Sequence, residues 1–394
     1  MGDLAIDYQR LSDHAIGYHA EMIAALDALV SRESPSTDKA YLDTLAGYLK
    51  QRWEALGAQV ELVPQPTRGN HLRIALPGTT PAAASMPPAL LLGHFDTVWP
   101  LGTIDRKPFE VVHGRATGPG VYDMKGGLVI AEFAWRAIQD LALPLPRPVV
   151  LVLNADEEIG SATSRALIET EAAASAYVLV LEPSVSGGAL KTARKGVGAF
   201  TVTVEGRASH AGVAPQEGAS AIEELARQIL RLHAFTDYDL GTTVNVGVIA
   251  GGTRSNVVAA HATARVDTRA WTREEARRLE SLILGIEAFN PETTVTVTGS
   301  FGRVPFERTP GTIALFEVAR RVGEALGMAL EEASSGGASD GNLTAAMGVP
   351  TLDGLGAVGD GAHAEHEYVD TASLPKRAAL LAGLLCEAGD LTVR

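Results

Sequence analysis

Three apolar runs in the first half of the chain each stop abruptly on ionisable residues. Leu90-Leu91-Leu92-Gly93 stops at His94 and Asp96, and the run from Pro148 to Leu153 stops at Asn154-Ala155-Asp156-Glu157-Glu158. The run from Tyr177 to Leu181 stops at Glu182. Short unbroken apolar runs are the pattern of strands buried on both faces. Helical periodicity lies between them, over about 127–140, opening on a glycine pair, and over about 161–171. Strand–helix alternation predicts parallel strands, so the three polar ends are expected on one edge of one sheet. In open α/β sheets that edge is where sites are built.

The flanking pattern completes the plan. A helix is predicted over 15–31, and Ser34–Asp38 is a turn that caps a second helix over 39–56. Val60–Val63 and Leu72–Ala75 alternate as strands, Pro77–Pro88 reads as an exposed loop, and Trp99–Pro119 reads as irregular. Gly118–Gly127 is a glycine-rich turn with Asp123 at its centre. From 196 to 299 the order changes to strand 198–204, helix 218–233, strands 243–249 and 259–265, helix 273–287 and strand 294–298. That order, β-α-β-β-α-β, is the split βαβ arrangement and is long enough for an inserted domain. Beyond it come a helix over 310–327, a Gly/Ser loop over 336–341, a helix over 341–347 and a strand over 351–355. A polar loop with His363 and His366 and a closing helix over 373–388 end the chain. The expected fold class is α/β: a mixed sheet flanked by helices, built from 1–195 and 305–394, with 196–304 inserted.

Composition narrows the partners. The chain has 394 residues, 46% of them hydrophobic, and a net charge of −14. That charge argues against a nucleic-acid surface, which needs a basic patch. No apolar run approaches the roughly 20 residues that span a bilayer. Residues 1–21 carry Asp3, Asp7, Asp13 and Glu21 with no apolar core segment, so they read as a surface helix and not a signal peptide. A cytoplasmic protein without membrane contact is the expectation. The single cysteine, Cys386, excludes an intrachain disulfide and reads as a buried helix residue.

Taken singly, the ionisable strand ends have ordinary explanations. Asp123 between glycines is a turn residue, and Glu157-Glu158 suits the first turn of a helix. Taken together they are costly, because buried strands that repeatedly deliver acids need a compensating cation. His94, Asp123, Glu158, Glu182 and a histidine from the C-terminal loop make two nitrogen and three carboxylate donors. That set suits two Zn²⁺ ions sharing one carboxylate. Such a pair, about 3.5–4 Å apart, polarises a carbonyl and activates water. The Glu157-Glu158 pair leaves one acid spare as general base.

The segments GHFDTV, GPGVYDMKGG, NADEEIGS, LEPS, ASHAG and GAHAEHEYVD resemble the M20 metallopeptidase family, and within it the glutamate carboxypeptidase (carboxypeptidase G-like) branch. The resemblance implies a zinc-peptidase catalytic domain with a ferredoxin-like dimerisation domain inserted, and a homodimer joined through that insert. It implies two Zn²⁺ per subunit, with Co²⁺ or Mn²⁺ as alternatives. His94 is then a ligand of the first metal and Asp96 its support through the other ring nitrogen. Asp123 is the bridging carboxylate, in a peptide bond to Met124 that is often cis in the family; many relatives have Asp where Met124 stands. Glu157 is the general base, Glu158 a ligand of the second metal, Glu182 a ligand of the first and His363 the last ligand. Family spacing to Glu367-Tyr368-Val369 favours His363 over His366. His210 is the histidine that reaches the partner's site and holds the oxyanion. Asn256 and Arg269 bind the carboxylate end of the substrate, with Arg303 as a second contact. Gly337 and Ser339 lie in the substrate-pocket loop. The implied reaction is hydrolysis of an amide bond next to a C-terminal amino acid, on a small peptide or acyl-amino acid. An aminoacylase or a dipeptidase uses the same donors.

Two rivals stand beside this reading. Gly337-Ala338-Ser339-Asp340-Gly341 fits G-x-S-x-G, followed in order by Asp353 or Asp360 and His363. A serine hydrolase needs a buried strand just before the serine, and Glu331–Gly336 is not one. A relative that kept the fold and lost the site is the other rival, but every donor position is filled.

Overall fold

The computed structural model describes residues 6–390. The chain divides into two compact units. Among the described residues, the first holds 6–192, Arg308–Ser334 and 339–390; the second holds Ala193–Glu307 and the short return Ser335–Ala338.

The first unit is built on a six-stranded mixed sheet. Its order is Gln59–Val63, His71–Leu76, Val149–Asn154, Ala89–His94, Tyr177–Val180 and Thr351–Leu352. The His94 strand lies between the Asn154 and Tyr177 strands and is parallel to both, with His94 opposite Asn154. Alternate side chains of these strands enter two different cores. Leu91, Leu151 and Leu179 face a core that includes Val129, Phe133 and Leu381. Leu90, Leu92, Val150, Val152, Val178 and Val180 face a smaller one with Ile168, Ala172 and Leu343. Burial on both faces is why the runs are continuous rather than alternating. Apolar residues so placed are worth about 25 cal/mol per Å² removed from water.

Helices behave as their ends dictate. The helix Lys39–Ala55 is capped by Asp38, whose carboxylate accepts from the N–H of Ala40 at 3.0 Å and of Tyr41 at 3.3 Å. The helix Gly126–Asp140 lies so close to the Tyr177 strand that a Cβ on Gly127 would stand 2.2 Å from the Leu181 carbonyl oxygen. Any side chain there would push the helix off the sheet.

The second unit pairs Gly196–Glu205, Ala221–His233, Thr243–Gly251, His261–Ala270, Arg273–Leu284 and Thr294–Arg303 in the β-α-β-β-α-β order. Its four-stranded sheet is antiparallel at every pairing, with Gly196–Glu205 and His261–Ala270 central. Val202, Val204, Ala264 and Val266 pack against Leu225, Leu232, Leu279 and Ile283 of its two helices.

Several elements depart from the sequence reading. The helix expected over 15–31 is two, Tyr8–Gly17 and His19–Val30, joined at Tyr18. Residues 1–5 of the expected N-terminal helix lie outside the described residues. The stretch 99–119 is not wholly irregular. It holds one helical turn, Thr103–Arg106, and a hairpin, Glu110–Val112 with Arg115–Thr117. Those strands are three residues each, too short for periodicity to register. The strand expected over 351–355 is only Thr351–Leu352. Cys386 is half-buried rather than buried. Among the described residues, no helix is long and apolar enough to cross a membrane.

Candidate metal centre

His94, Glu158 and Glu182, at or just past the carboxyl ends of the parallel strands, meet Asp123 of the glycine-rich turn and His363 of the C-terminal loop in the first unit. His94 is the last residue of its strand and is buried. Its Nε2 stands 3.3 Å from Asp123 Oδ1 and 3.5 Å from Glu182 Oε1. His363 Nε2 stands 3.3 Å from Asp123 Oδ2 and 3.1 Å from Glu158 Oε2. Asp123 therefore turns one carboxylate oxygen to each histidine. Its Oδ1 is buried without a hydrogen-bond partner among the described residues. A buried orphan oxygen costs free energy that a cation would recover. Two nitrogen and three carboxylate donors, one of them facing both ways, fit two divalent ions with borderline ligand preference.

The electrostatics agree with such a cluster. Burial works against charge on His94, but the nearby carboxylates of Asp123, Asp96 and Glu182 carry its pKa well above the ordinary value. Burial likewise opposes the Asp123 carboxylate, while the imidazoles of His363 and His94 beside it hold its pKa below the usual range. Hydrogen bonds to Asp123 and then Glu158 push His363 up to about 10. Burial pushes Glu158 up to about 7, with the His363 contact pulling the other way.

The loops that deliver these residues are tied tightly. The Asp123–Met124 peptide bond is cis. Asp96 lies against the second ring nitrogen of His94. His94 Nδ1 lies 3.0 Å from the Asp96 main-chain oxygen and 3.4 Å from its carboxylate Oδ1. The carboxylate also accepts from Ser36 Oγ at 2.7 Å and from the N–H groups of Glu157 and Glu158 at 3.2 Å each. Asp96 therefore links the His94 strand end to the turn that carries both glutamates. Asp156 fastens the far side of that turn, accepting from Thr163 N at 2.7 Å and Ser164 Oγ at 2.6 Å. Glu157 lies within 4.8 Å of donor atoms of His94 and Glu182, so proximity alone would also admit it as a ligand.

In the second unit His210 and Asn256 sit on adjoining loops. His210 bridges to Val257, and Ala211 N–H donates to the Asn256 carbonyl at 3.0 Å. The N–H groups of Gly212 and Val213 both donate to His210 Nδ1 at 3.1 Å, which leaves Nε2 to carry the ring proton. Arg269 forks onto Asp267 with two contacts of 2.9 Å. Arg303 closes the strand Thr294–Arg303, just past a register shift. The Gly337 carbonyl accepts from Arg194 at 3.1 Å.

Ser339 differs from the expectation of a substrate contact. Its side chain is fully buried, and Oγ donates to Asp353 Oδ2 at 2.7 Å. A hydroxyl spent on a carboxylate in the core, with no imidazole partner among its hydrogen bonds, does not make a nucleophile elbow either.

Sequence reasoning missed Glu367. Its carboxylate is buried and collects N–H groups from Gly120, Tyr122, Asp123 and Trp99. Burial raises its pKa and those donors pull it back. In a polar loop between two histidines and an acid, nothing local marks it as buried.

A mixed sheet whose carboxyl edge gathers this donor set defines a metal-dependent hydrolase. The pattern of peptidase family M20/M25/M40 matches residues 90–387. Carboxypeptidase G2 of Pseudomonas sp. strain RS-16 is 32% identical over 309 residues, 76% of this chain and 74% of that protein. Aminopeptidase PepT of Bacillus cereus has a similar fold, with a TM-score of 0.74 at 23% identity over 94% of this chain and 98% of that one. So does the Bacillus subtilis YXEP protein, described as a dinuclear metal-binding M20 peptidase, with a TM-score of 0.71 at 14% identity over 94% and 98%. The chain belongs to peptidase family M20/M25/M40, and it is an enzyme of the peptidase and amidohydrolase class.

Proposed function

We propose that the enzyme cleaves the amide bond next to a C-terminal glutamate or similar amino acid, as a carboxypeptidase G-like hydrolase. The observation that carries the metal chemistry is Asp123, with one oxygen toward His94 and the other toward His363. His94, Asp123 and Glu182 would hold one Zn²⁺; Asp123, Glu158 and His363 would hold the other. Bound ions supply polarisation of the scissile carbonyl and a more acidic water. Glu157 takes a proton from the attacking water and passes it to the leaving amine. His210, reaching in from a second copy, donates from Nε2 to the carbonyl oxygen as it gains negative charge. Asn256, Arg269 and Arg303 receive the substrate carboxylate, which competes with Asp267 for the Arg269 fork. The similarity to carboxypeptidase G2 supports the choice of substrate class.

A homodimer through the second unit belongs to this proposal. The helix Ala221–His233 packs on the edge strand Thr243–Gly251. Ile222 and Leu230 on the helix and Val248 and Ile249 on the strand are all exposed, and such apolar surface suits a second copy.

Exhaustive chelation should abolish hydrolysis, and Zn²⁺ should restore it. Activity that survives chelation would sink the metal reading. A panel of folate-like, N-acyl and dipeptide substrates ending in Glu, Asp or a neutral residue tests the substrate class. Preference for a neutral C-terminal residue would replace the glutamate reading with an aminoacylase or dipeptidase one.

A further inference from the structure

Four N–H donors from two separate segments converge on one buried carboxylate. Glu367 Oε1 accepts from Tyr122 N at 2.9 Å and Asp123 N at 3.1 Å. Its Oε2 accepts from Trp99 Nε1 at 2.9 Å and Gly120 N at 3.1 Å. Three of the four donors belong to the glycine-rich turn that carries Asp123. Glu367 itself ends the loop that begins at Gly361 and carries His363.

That loop has few other buried ties. Its internal bonds are short turns, Ala364 N to the Gly361 carbonyl and Glu367 N to the Ala364 carbonyl. Two neighbouring side chains reach it: Arg106 meets Glu365 at 2.9 Å in an exposed pair worth little, and Lys107 Nζ donates to the Ala364 carbonyl at a long 3.4 Å. His363 adopts a left-handed backbone, with φ of 62°, a conformation that a non-glycine residue keeps only when its surroundings impose it.

The geometry points to Glu367 as the positioning residue of the second metal site: its carboxylate clamps the Gly120–Asp123 backbone to the His363 loop, so that Asp123 Oδ2 faces His363. It touches neither substrate nor metal and acts by holding the His363 loop against the Gly120–Asp123 backbone. The inference rests on Asp123, Glu158 and His363 being metal donors. A glutamine cannot replace Glu367. Whichever way the amide turns, its NH₂ faces two N–H donors, and one pair loses its acceptor.

Calorimetric titration of the metal-free full chain with Zn²⁺ tests this, with circular dichroism as the check on folding. Wild type should take up two ions. Glu367→Gln should keep its fold and bind one ion normally, while the other weakens by roughly tenfold to a hundredfold. Trp99→Phe removes only the donor outside the turn and should leave both affinities within a few-fold of wild type. Glu367→Asp keeps the charge but withdraws it, and should weaken the same single ion; it serves where Glu367→Gln does not fold. Two ions bound with wild-type affinity by either Glu367 variant, even one that melts earlier, would overturn the positioning role. Wild type taking up fewer than two ions would overturn the donor reading itself, and the inference with it.

Discussion

In the first unit the proposed metal donors face one another across 3.1 to 3.5 Å; His94 and Glu182 are buried, Asp123 and Glu158 half-buried, and His363 alone among them is exposed. In the second unit His210 is exposed on a loop, and Arg269 is closed on its own neighbour, Asp267. The two sets follow opposite physical rules. Buried acids and histidines are expensive without compensation, so their clustering records a function that offsets the cost. Exposed polar residues cost almost nothing, so their positions record much less. The proposed metal donors are held together inside the first unit, whereas the substrate contacts proposed for the second would be made by groups that can still rearrange.

That contrast can be broken or sharpened by substitution. The largest effect is expected at Glu157. Glu157→Ala should lose about 10²–10⁴ in turnover while metal content stays at the wild-type level. Retained turnover would remove Glu157 as the base, and lost metal would recast it as the ligand its closeness to His94 and Glu182 allows. His210→Ala comes next, with kcat reduced by about 10²–10³ and metal content unchanged. Mixing it with Glu157→Ala should recover part of the activity if the histidine serves a second copy; no recovery would confine each site to one chain.

Asp96→Asn should cost about 10- to 100-fold in metal affinity or activity, with secondary structure intact by circular dichroism. The carboxylate holds the Glu157 and Glu158 N–H groups as well as lying beside His94, so both glutamates should be affected. An unchanged enzyme would mean that the main-chain contact to His94 suffices. The smallest effect on chemistry is expected from Leu279→Ala, in the core of the second unit. It should cost about 2–5 kcal/mol of stability, read by denaturant unfolding, without lowering metal uptake. Loss of metal in that variant would show that the first unit's centre depends on the second unit's core.

Much of the first unit was legible before any coordinates. The runs ending at His94, Glu157-Glu158 and Glu182 are buried on both faces, so their continuous hydrophobicity was a faithful signal of parallel strands. The β-α-β-β-α-β order of the second unit was equally plain, because its helices and most of its strands are long enough for their periods to show. The hairpin Glu110–Thr117 was not legible, since three-residue strands carry no period. Nor was the break at Tyr18, where both flanking helices keep the same apolar spacing.

The sequence by itself determined which residue types are available for metal chemistry, the strands that end on them and their order along the chain. Those depend on local pattern, which a linear reading contains. Only the tertiary structure decided that Asp123 turns an oxygen to each histidine, that Asp96 spends its carboxylate on the 157–158 turn and that Ser339 is locked to Asp353. The same holds for Glu367, whose four donors come from positions 99 to 123, more than 240 residues earlier in the chain. A buried hydrogen bond between distant segments depends on how the chain folds back, and no local pattern encodes it.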